Sequence, residues 1–495
     1  MTTPLLTVLV ALPALGGVLL LAAPPLRERA REIALGFAVL ELLGVAYLLT
    51  QFDLSASGEI QFAETYRWIP QIGASWALGV NGIGLSLIVL AAILVPLVLV
   101  AGWKLPDEPK RAAQYVGLIL VSQAFMVGIF AARDVLLFYV LFEAMLIPLY
   151  FLIGSFGGEQ RRYAAVKFLI FSLVGGLIML VAVVALYFVG PGGEQGFLID
   201  NLTGLALDPV TERLLFLGFF FAFAVKAPLV PVHTWLPTVA ENARAGTTAL
   251  LVAVLDKIGT FGMLTLCLVL FPAAARWAAP VIIGFAVLSV IYGALLAIGQ
   301  DDMLRLVSFT SVSHFGIMVL GIFAFQQTSV EGAALYMFNH GLSTAALFLL
   351  VGFLIDRHGS PSIAAYGGLQ KVVPVLAGTF LIVGLSALSL PGLSPFVSEI
   401  MVFVGAFSAV PVAVVIAVFG VVLAALYILL MYQKVFTGPT PDAMAGTPEL
   451  GLRERVAVWP LVVLMLVLGL APALAIQYFT EPVAAILAIV EGVGA

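Results

Sequence analysis

A small set of ionisable residues lies inside long apolar runs. Glu143 sits in LFYVLFEAMLIPLYF, Lys226 in FAVKAPLVPVHTWLP, Asp256 and Lys257 in LLVAVLDKIGTFG, and His314 in SFTSVSHFGIM. His340 follows in YMFNHGLSTAALF and Glu399 in LPGLSPFVSEIMVF, with Glu41 and Lys167 in further apolar stretches. Carboxylates, lysines and histidines share one chemistry in such places, the reversible binding of a proton. A charge inside a membrane span costs about 2.5–3.5 kcal/mol on insertion scales, so it persists where it is paired or lines a wet cavity.

Each residue has a functional reading and a plainer one. Glu143 has no polar neighbour and reads as a proton-relay carboxylate; the alternative is an ion pair gluing two helices. Pro228 and Pro231 break the helix just after Lys226 and free backbone carbonyls there. Lys226 is then either a proton site that switches when a facing pair with Glu143 opens, or a lysine that satisfies the broken backbone. Asp256 and Lys257 point about 100° apart on a helix and do not simply neutralise each other. Gly259 and Gly262 thin that helix and are expected to admit water. Ser308, Ser311 and Ser313 give His314 hydroxyl company, and histidine can pass a proton between its two nitrogens. His340 reads similarly. Glu399 follows a second broken stretch, where Ser398 or Glu399 could instead cap a restarting helix. Lys167 could snorkel toward Arg161 and Arg162. His233 and Glu241 flank the first break, and Glu41 reads as a packing or partner contact.

The elements that must hold these residues follow from composition. The chain has 495 residues, 62% of them hydrophobic and only 10% charged, with mean hydropathy +1.17. A soluble domain carries about 25% charged residues, so the solvent here must be lipid. The net charge of −5 offers no basic face for nucleic acid. The single cysteine, Cys267, excludes disulfide frameworks, Cys-ligated zinc and iron–sulfur clusters on this chain. No Walker A loop, Rossmann glycine signature or HExxH motif is present, and scattered histidines make no metal site. The N-terminus lacks a basic n-region and reads as a retained span.

Runs of roughly 20 apolar residues predict about fourteen transmembrane helices in an all-α polytopic protein. They lie near 4–23, 33–51, 79–101, 113–132, 135–155, 163–189, 212–231, 246–270, 278–299, 306–326, 333–355, 375–408, 411–433 and 456–477. The stretch 375–408 is too long for one straight helix and contains Pro391 and Pro395. Residues 232–245 and 479–492 read as short interfacial or re-entrant pieces. With the N-terminus outside, Arg27, Arg29, Arg31, Lys110, Arg111, Arg161, Arg162, Arg453 and Arg455 all fall at cytoplasmic ends, while only Arg67, Arg133, Arg213 and Arg276 fall outside.

Two blocks of five spans look alike. Asp134 is matched by Asp301 and Asp302, Tyr163-x-x-x-Lys167 by Tyr336-x-x-x-His340, and Pro228/Pro231 by Pro391/Pro395, at offsets of about 163 to 173 residues. Five is odd, so the second block enters the membrane from the other side, the sign of inverted-topology repeats each containing a broken helix. The expected organisation is a three-span region over 1–110, a first repeat over 111–275, a second over 276–435, and a C-terminal span and tail over 436–495.

KAPLVPVHTWLP, then LLVAVLDKIGTFG, then SFTSVSHFGIM, together with FEAMLIPLYFLIG, resemble the antiporter-like membrane subunits of respiratory complex I, the proton-pumping NADH–quinone oxidoreductase. The resemblance covers roughly residues 110–435. Length, and a glutamate at position 399 where other types carry lysine, favour the M or chain 4 type; Mrp-type cation/proton antiporter subunits, which share the fold, are the nearest alternative. The stretch ENARAGTTALL departs from the family's usual "EAPTAGS"-like turn. The resemblance implies a proton relay of Glu143, Lys226, Lys257, His314, His340 and Glu399, with Glu143 and Lys226 as the charge pair, Lys257 in the middle and Glu399 at the exit. It implies no cofactor on this chain, with FMN, iron–sulfur clusters and quinone in other subunits. It also implies L-type and N-type antiporter-like neighbours and a place in a bacterial plasma membrane.

Overall fold

The computed structural model describes residues 4–104 and 108–492; the outermost ends of the expected first and last regions lie outside them. The chain is overwhelmingly helical. The labelled helices are α1 (Leu5–Ala22), α2 (Ala30–Gln51), α3 (Gly82–Ala101), α4 (Pro109–Ala131), α5 (Val135–Ala144), α6 (Leu146–Phe156), α7 (Arg161–Val189), α8 (Pro209–Lys226) and α9 (Trp235–Asn242). There follow α10 (Ala245–Leu270), α11 (Pro272–Ile298), α12 (Met303–Phe323), α13 (Gln327–His358), α14 (Pro374–Ala387), α15 (Ser394–Phe407), α16 (Pro411–Phe436), α17 (Leu452–Leu470) and α18 (Thr480–Gly492).

Eleven helices among the described residues are long and apolar enough to cross a membrane, α5 and α6 counting together. Three expected spans take other forms. The stretch 212–231 becomes α8, which stops at Lys226, with an irregular turn carrying it past the prolines. The stretch 375–408 becomes the two short helices α14 and α15. The last, α17, ends at Leu470. The expected short pieces are found as α9 and α18.

One element lay outside the all-α reading. Residues Gln61–Ile69 (β1) and Ala74–Val80 (β2) form an antiparallel hairpin with Tyr66 opposite Trp76. It is fastened at both ends by carboxylates. Glu64 accepts from Leu6 N and Thr7 N at the start of α1, at 2.7 and 3.1 Å. Asp134 accepts from Ser75 N on β2 and from Leu136 N and Leu137 N of α5, each at 2.9 Å. Helix starts leave backbone N–H groups without partners, and carboxylates answer them again elsewhere. Glu212 holds Ala273 N and Ala274 N of α11, and Glu449 holds Val375 N and Leu376 N of α14.

Burial is graded toward the centre. Helix α12 is buried along its whole apolar window, and α10 and α13 nearly so. By contrast α7 and α16 turn large apolar side chains outward, among them Val181, Phe188, Val412 and Phe419. An outward apolar face suits lipid or a neighbouring membrane chain. The central helices carry the polar residues.

At the end of α13, Arg357 makes a buried fork with Glu454 of α17, at 2.6 and 2.9 Å, and also donates to Pro448 O and Glu449 O. Both side chains of this pair are only 8% exposed. Removing one partner of a buried pair strands the other charge. Arg357→Ala is therefore expected to destabilise the fold by about 3–5 kcal/mol, read as a lower midpoint of thermal unfolding in detergent. The Arg357→Ala/Glu454→Ala double variant should lose less than the sum of the two single losses.

Candidate functional site

The buried ionisable residues gather on four neighbouring helices and the two breaks. Glu143 closes the first part of the kinked α5–α6 rod. It is half-buried and its Oε1 has no hydrogen-bond partner among the described residues. A Cβ built on Gly176 of α7 would lie 1.7 Å from that oxygen. Only glycine at position 176 leaves room for the carboxylate.

Lys226 ends α8 and is 1% exposed. Its Nζ lies 5.2 Å from the centre of the Phe142 ring and 5.0 Å from that of Phe168. It makes no hydrogen bond, and no ion pair joins it to Glu143 among the described residues. The sequence led us to expect a niche of freed carbonyls around this lysine. The structure instead gives one such carbonyl, Val225 O, to the indole of Trp235 at 2.9 Å. Lys226 is left between aromatic faces, whose electron-rich centres favour a cation, within electrostatic reach of both Glu143 and Asp256.

Lys257 lies on α10 between two π turns, Leu251–Leu255 and Met263–Cys267. Such insertions are rare and often mark functional sites. Asp256 N reaches back five residues to Leu251 O, and the next carbonyl, Val252 O, accepts from Lys257 Nζ at 2.8 Å. The same Nζ lies 2.7 Å from His340 Nδ1 and 4.6 Å from the centre of the Phe315 ring. An ammonium has only donors. When Lys257 is charged, His340 must accept at Nδ1 and carry its hydrogen on Nε2, which lies 3.0 Å from Thr344 Oγ1. Asp256 is wholly buried, its two oxygens have no hydrogen-bond partner, and it is in electrostatic reach of both Lys226 and Lys257. The expectation that Gly259 and Gly262 admit water is corrected. Phe223 of α8 and Ala227 just beyond its end fill that space, and a Cβ at either glycine would meet one of them at 2.4 Å.

His340 continues the line. Its ring centre is 5.1 Å from that of His314 and 6.2 Å from that of Tyr336, and His314 lies 5.8 Å from Tyr336. Tyr336 Oη donates to Glu399 Oε2 at 3.1 Å, and Ser389 Oγ donates to the same oxygen. Ser389 is held at φ +60°, a left-handed backbone uncommon outside glycine, in the break between α14 and α15. The serines expected to serve His314 do not. Ser308, Ser311 and Ser313 donate to Arg305 O, Val307 O and Val290 O. Ser398, the other capping candidate, donates to Pro395 O at 3.0 Å.

The remaining candidates form a separate group at the helix ends. Lys167 donates to Thr238 Oγ1 of α9 at 2.9 Å rather than snorkelling to its own helix end. Glu241 pairs with Arg305 at 2.8 Å. His233 packs against Tyr292 and Phe309. Sequence reasoning missed Tyr336 and Ser389 as members of the site. The signal for Tyr336 was present, since its four-residue spacing from His340 puts both on one helix face. Nothing in the sequence marked Ser389.

The family described as "NADH:quinone oxidoreductase/Mrp antiporter, TM" matches residues 132–424. A curated relative from Mycobacterium tuberculosis, NADH-quinone oxidoreductase subunit M, is 46% identical over 95% of this chain and 91% of its own. The subunit M of Rhodobacter capsulatus is 36% identical over 92% of this chain and 89% of its own. Among solved structures, a chain of respiratory complex I from Thermus thermophilus with bound NADH superposes with a TM-score of 0.90 at 31% identity, covering 98% of this chain and 99% of that one. A chain of the Mrp complex from a Dietzia species shares the fold, with a TM-score of 0.87 at 21% identity over 98% of both chains.

The contact between Gly176 and Glu143 gives a direct test of the packing. Gly176→Ala is expected to destabilise by about 1–3 kcal/mol through overpacking. Glu143→Ala in the same chain should relieve most of that loss, and a thermal-unfolding double-mutant cycle would read the coupling.

Proposed function

The chain belongs to the NADH:quinone oxidoreductase/Mrp antiporter transmembrane family, and from that premise we propose how its buried residues carry protons. It is a proton-translocating membrane subunit of an NADH–quinone oxidoreductase, of the M or chain 4 type. Its redox chemistry belongs to other subunits, where FMN, iron–sulfur clusters and quinone are placed. This chain contributes the path.

The observation that carries the relay is the continuity from Lys257 to Glu399. Lys257 touches His340, the His340 ring stands edge to face with both His314 and Tyr336, whose own rings are tilted at 44°, and Tyr336 holds Glu399. Imidazole can accept a proton at one nitrogen and release one from the other, so His340 and His314 hand charge onward without moving far. Glu399 is the last acceptor, steadied by two hydroxyls. At the other end Glu143 and Lys226 form a pair that is open in this structure. Closing it favours the charged lysine, and opening it releases a proton toward Asp256, which bridges in charge to Lys257. Quinone reduction elsewhere would drive that opening and closing.

The surrounding frame supports an inverted repeat of about fourteen spans. Val135 N bonds Phe197 O and Ile199 N bonds Arg133 O; the same pair recurs as Met303 N to Pro361 O and Ile363 N to Asp301 O. Asp134 and Asp302 cap the helices that follow each. The repeats run over 111–275 and 276–435, flanked by regions 1–110 and 436–495. The N-terminus lies outside a bacterial plasma membrane. L-type and N-type antiporter-like subunits cover the outward apolar faces.

Glu143→Ala and Lys226→Ala are each expected to abolish proton pumping and most of the coupled quinone reductase activity in an assembled complex. Glu143→Asp should keep part of both. Tyr336→Phe removes the hydroxyl that reaches Glu399 and should slow pumping about tenfold, the factor for about 1.4 kcal/mol of barrier. These are read as proton uptake and NADH oxidation in proteoliposomes. Normal pumping in Glu143→Ala and Lys226→Ala together would overturn the relay.

A further inference from the structure

One buried carboxyl stands outside the relay. Glu41 lies midway along α2, on the stripe Ala34, Ala38, Glu41, Val45 and Leu48 that faces the protein. It is 0% exposed, which removes the expected partner contact. Neither of its oxygens has a hydrogen-bond partner among the described residues. Gln123 of α4 is in the same condition, 0% exposed with both its amide oxygen and nitrogen unpartnered. Buried polar atoms are rarely left so, and each such case asks for a missing partner.

The two residues lie at one depth. A Cβ on Gly44 would meet Leu9 at 2.7 Å, and one on Gly16 would meet Phe37 at 2.6 Å. Helices α1 and α2 are therefore antiparallel, with Glu41 level with residues 11–13 of α1. A Cβ on Gly17 would meet Val121 at 2.6 Å, and one on Gly128 would meet Val10 at 3.7 Å. Those same α1 residues are thus level with the middle of α4 near Met126. Gln123 is three residues away, about 4.5 Å along the axis. Pro13 stands at this level too and has no N–H to give Leu9 O, which leaves that carbonyl, about one turn from Glu41, without its usual helical donor. The Cβ of Gly128 would also meet Leu141 at 2.9 Å, which sets Glu143 of α5 near the same depth.

Apart from Glu143, no other ionisable side chain lies near this depth on the helices packed around the two residues. Helices α1 and α3 contain none, and those of α4, namely Lys110, Arg111 and Tyr115, are in its first two turns. A bare carboxylate without a donor is too costly in such surroundings. A carboxylic acid and a carboxamide, by contrast, offer matched donors and acceptors that one or two waters can bridge.

We propose that Glu41 and Gln123 form a second proton-binding site, separate from the relay, whose ligand is an exchangeable proton delivered by internal water. A carboxylate oxygen of Glu41 takes a proton from hydronium and leaves water. The resulting acid donates toward the Gln123 amide oxygen or Leu9 O through that water. The site extends the belt of proton-active groups at this depth to the N-terminal three helices.

The test is infrared spectroscopy of the whole complex, as the difference between spectra in H2O and D2O. A protonated-carboxyl band that shifts in D2O is expected, and it should vanish in Glu41→Gln. It should move in Gln123→Leu, which leaves the acid without its amide partner. It should persist in Glu143→Gln and Glu399→Gln. If Glu41→Gln keeps every exchangeable carboxyl band, Glu41 is not the site and the proposal falls. If Glu41→Gln does not assemble, Gln123→Leu decides: a moved band supports the site and an unmoved set of bands overturns it. Pumping is not read here, so failure of this site and failure of the relay remain distinguishable.

Discussion

Hydrocarbon offers no partner to a charge, and that cost arranges the rest of the molecule. Most ionisable groups at depth are drawn onto the central helices α10, α12 and α13 or onto helices that pack against them, with Glu41 on α2 as an exception. The outer helices α7 and α16 are left to present alkyl and aryl surface. The same cost explains why the backbone is irregular where the chemistry is. A regular helix satisfies its own carbonyls and has none to spare. The break after Lys226, the π turns around Lys257 and the left-handed Ser389 each release a backbone or hydroxyl group into an interior that would otherwise hold only side chains.

The two ends of the proposed relay are built differently. From Lys257 to Glu399 the groups hydrogen-bond or lie in tilted and edge-on ring contact, an arrangement that suits proton transfer by small reorientations. Between Glu143, Lys226 and Asp256 the groups interact through space, with aromatic rings around the lysine and no direct hydrogen bond. A gap of that kind is where a gate is useful, because a small change in separation changes a Coulomb term steeply in a low-dielectric interior.

Much of the frame was legible in the sequence. Apolar runs of span length announced most of the helices, and Pro228, Pro231, Pro391 and Pro395 marked both breaks. Each charged or histidine candidate was visible as an ionisable group in the wrong solvent, whereas Tyr336 and Ser389 were not. What was not legible was partnership. The hydroxyls near His314 bond backbone carbonyls instead, Ser308 and Ser311 on their own helix and Ser313 on α11. Gly259 and Gly262 are filled by α8 because glycine marks close approach as readily as empty space. The hairpin at Gln61–Val80 escaped because its alternating pattern is short and lies between two strong apolar signals. The π turns have no compositional mark at all, since LVAVL reads like any buried helix.

Those π turns carry a consequence for how this chain can change over time. Each widened turn accommodates one residue more than an α-helix would. Deleting a single residue within Leu251–Leu255 would therefore yield a more regular helix with a complete ladder of backbone bonds. It would also turn Lys257 by about 100° relative to the preceding segment, away from either Val252 O or His340. The lengthened turn is thus a reading-frame device. Local regularity and the placement of Lys257 between Val252 O and His340 are mutually exclusive there, so a change in residue count within that turn disturbs this contact even where a change of side chain does not.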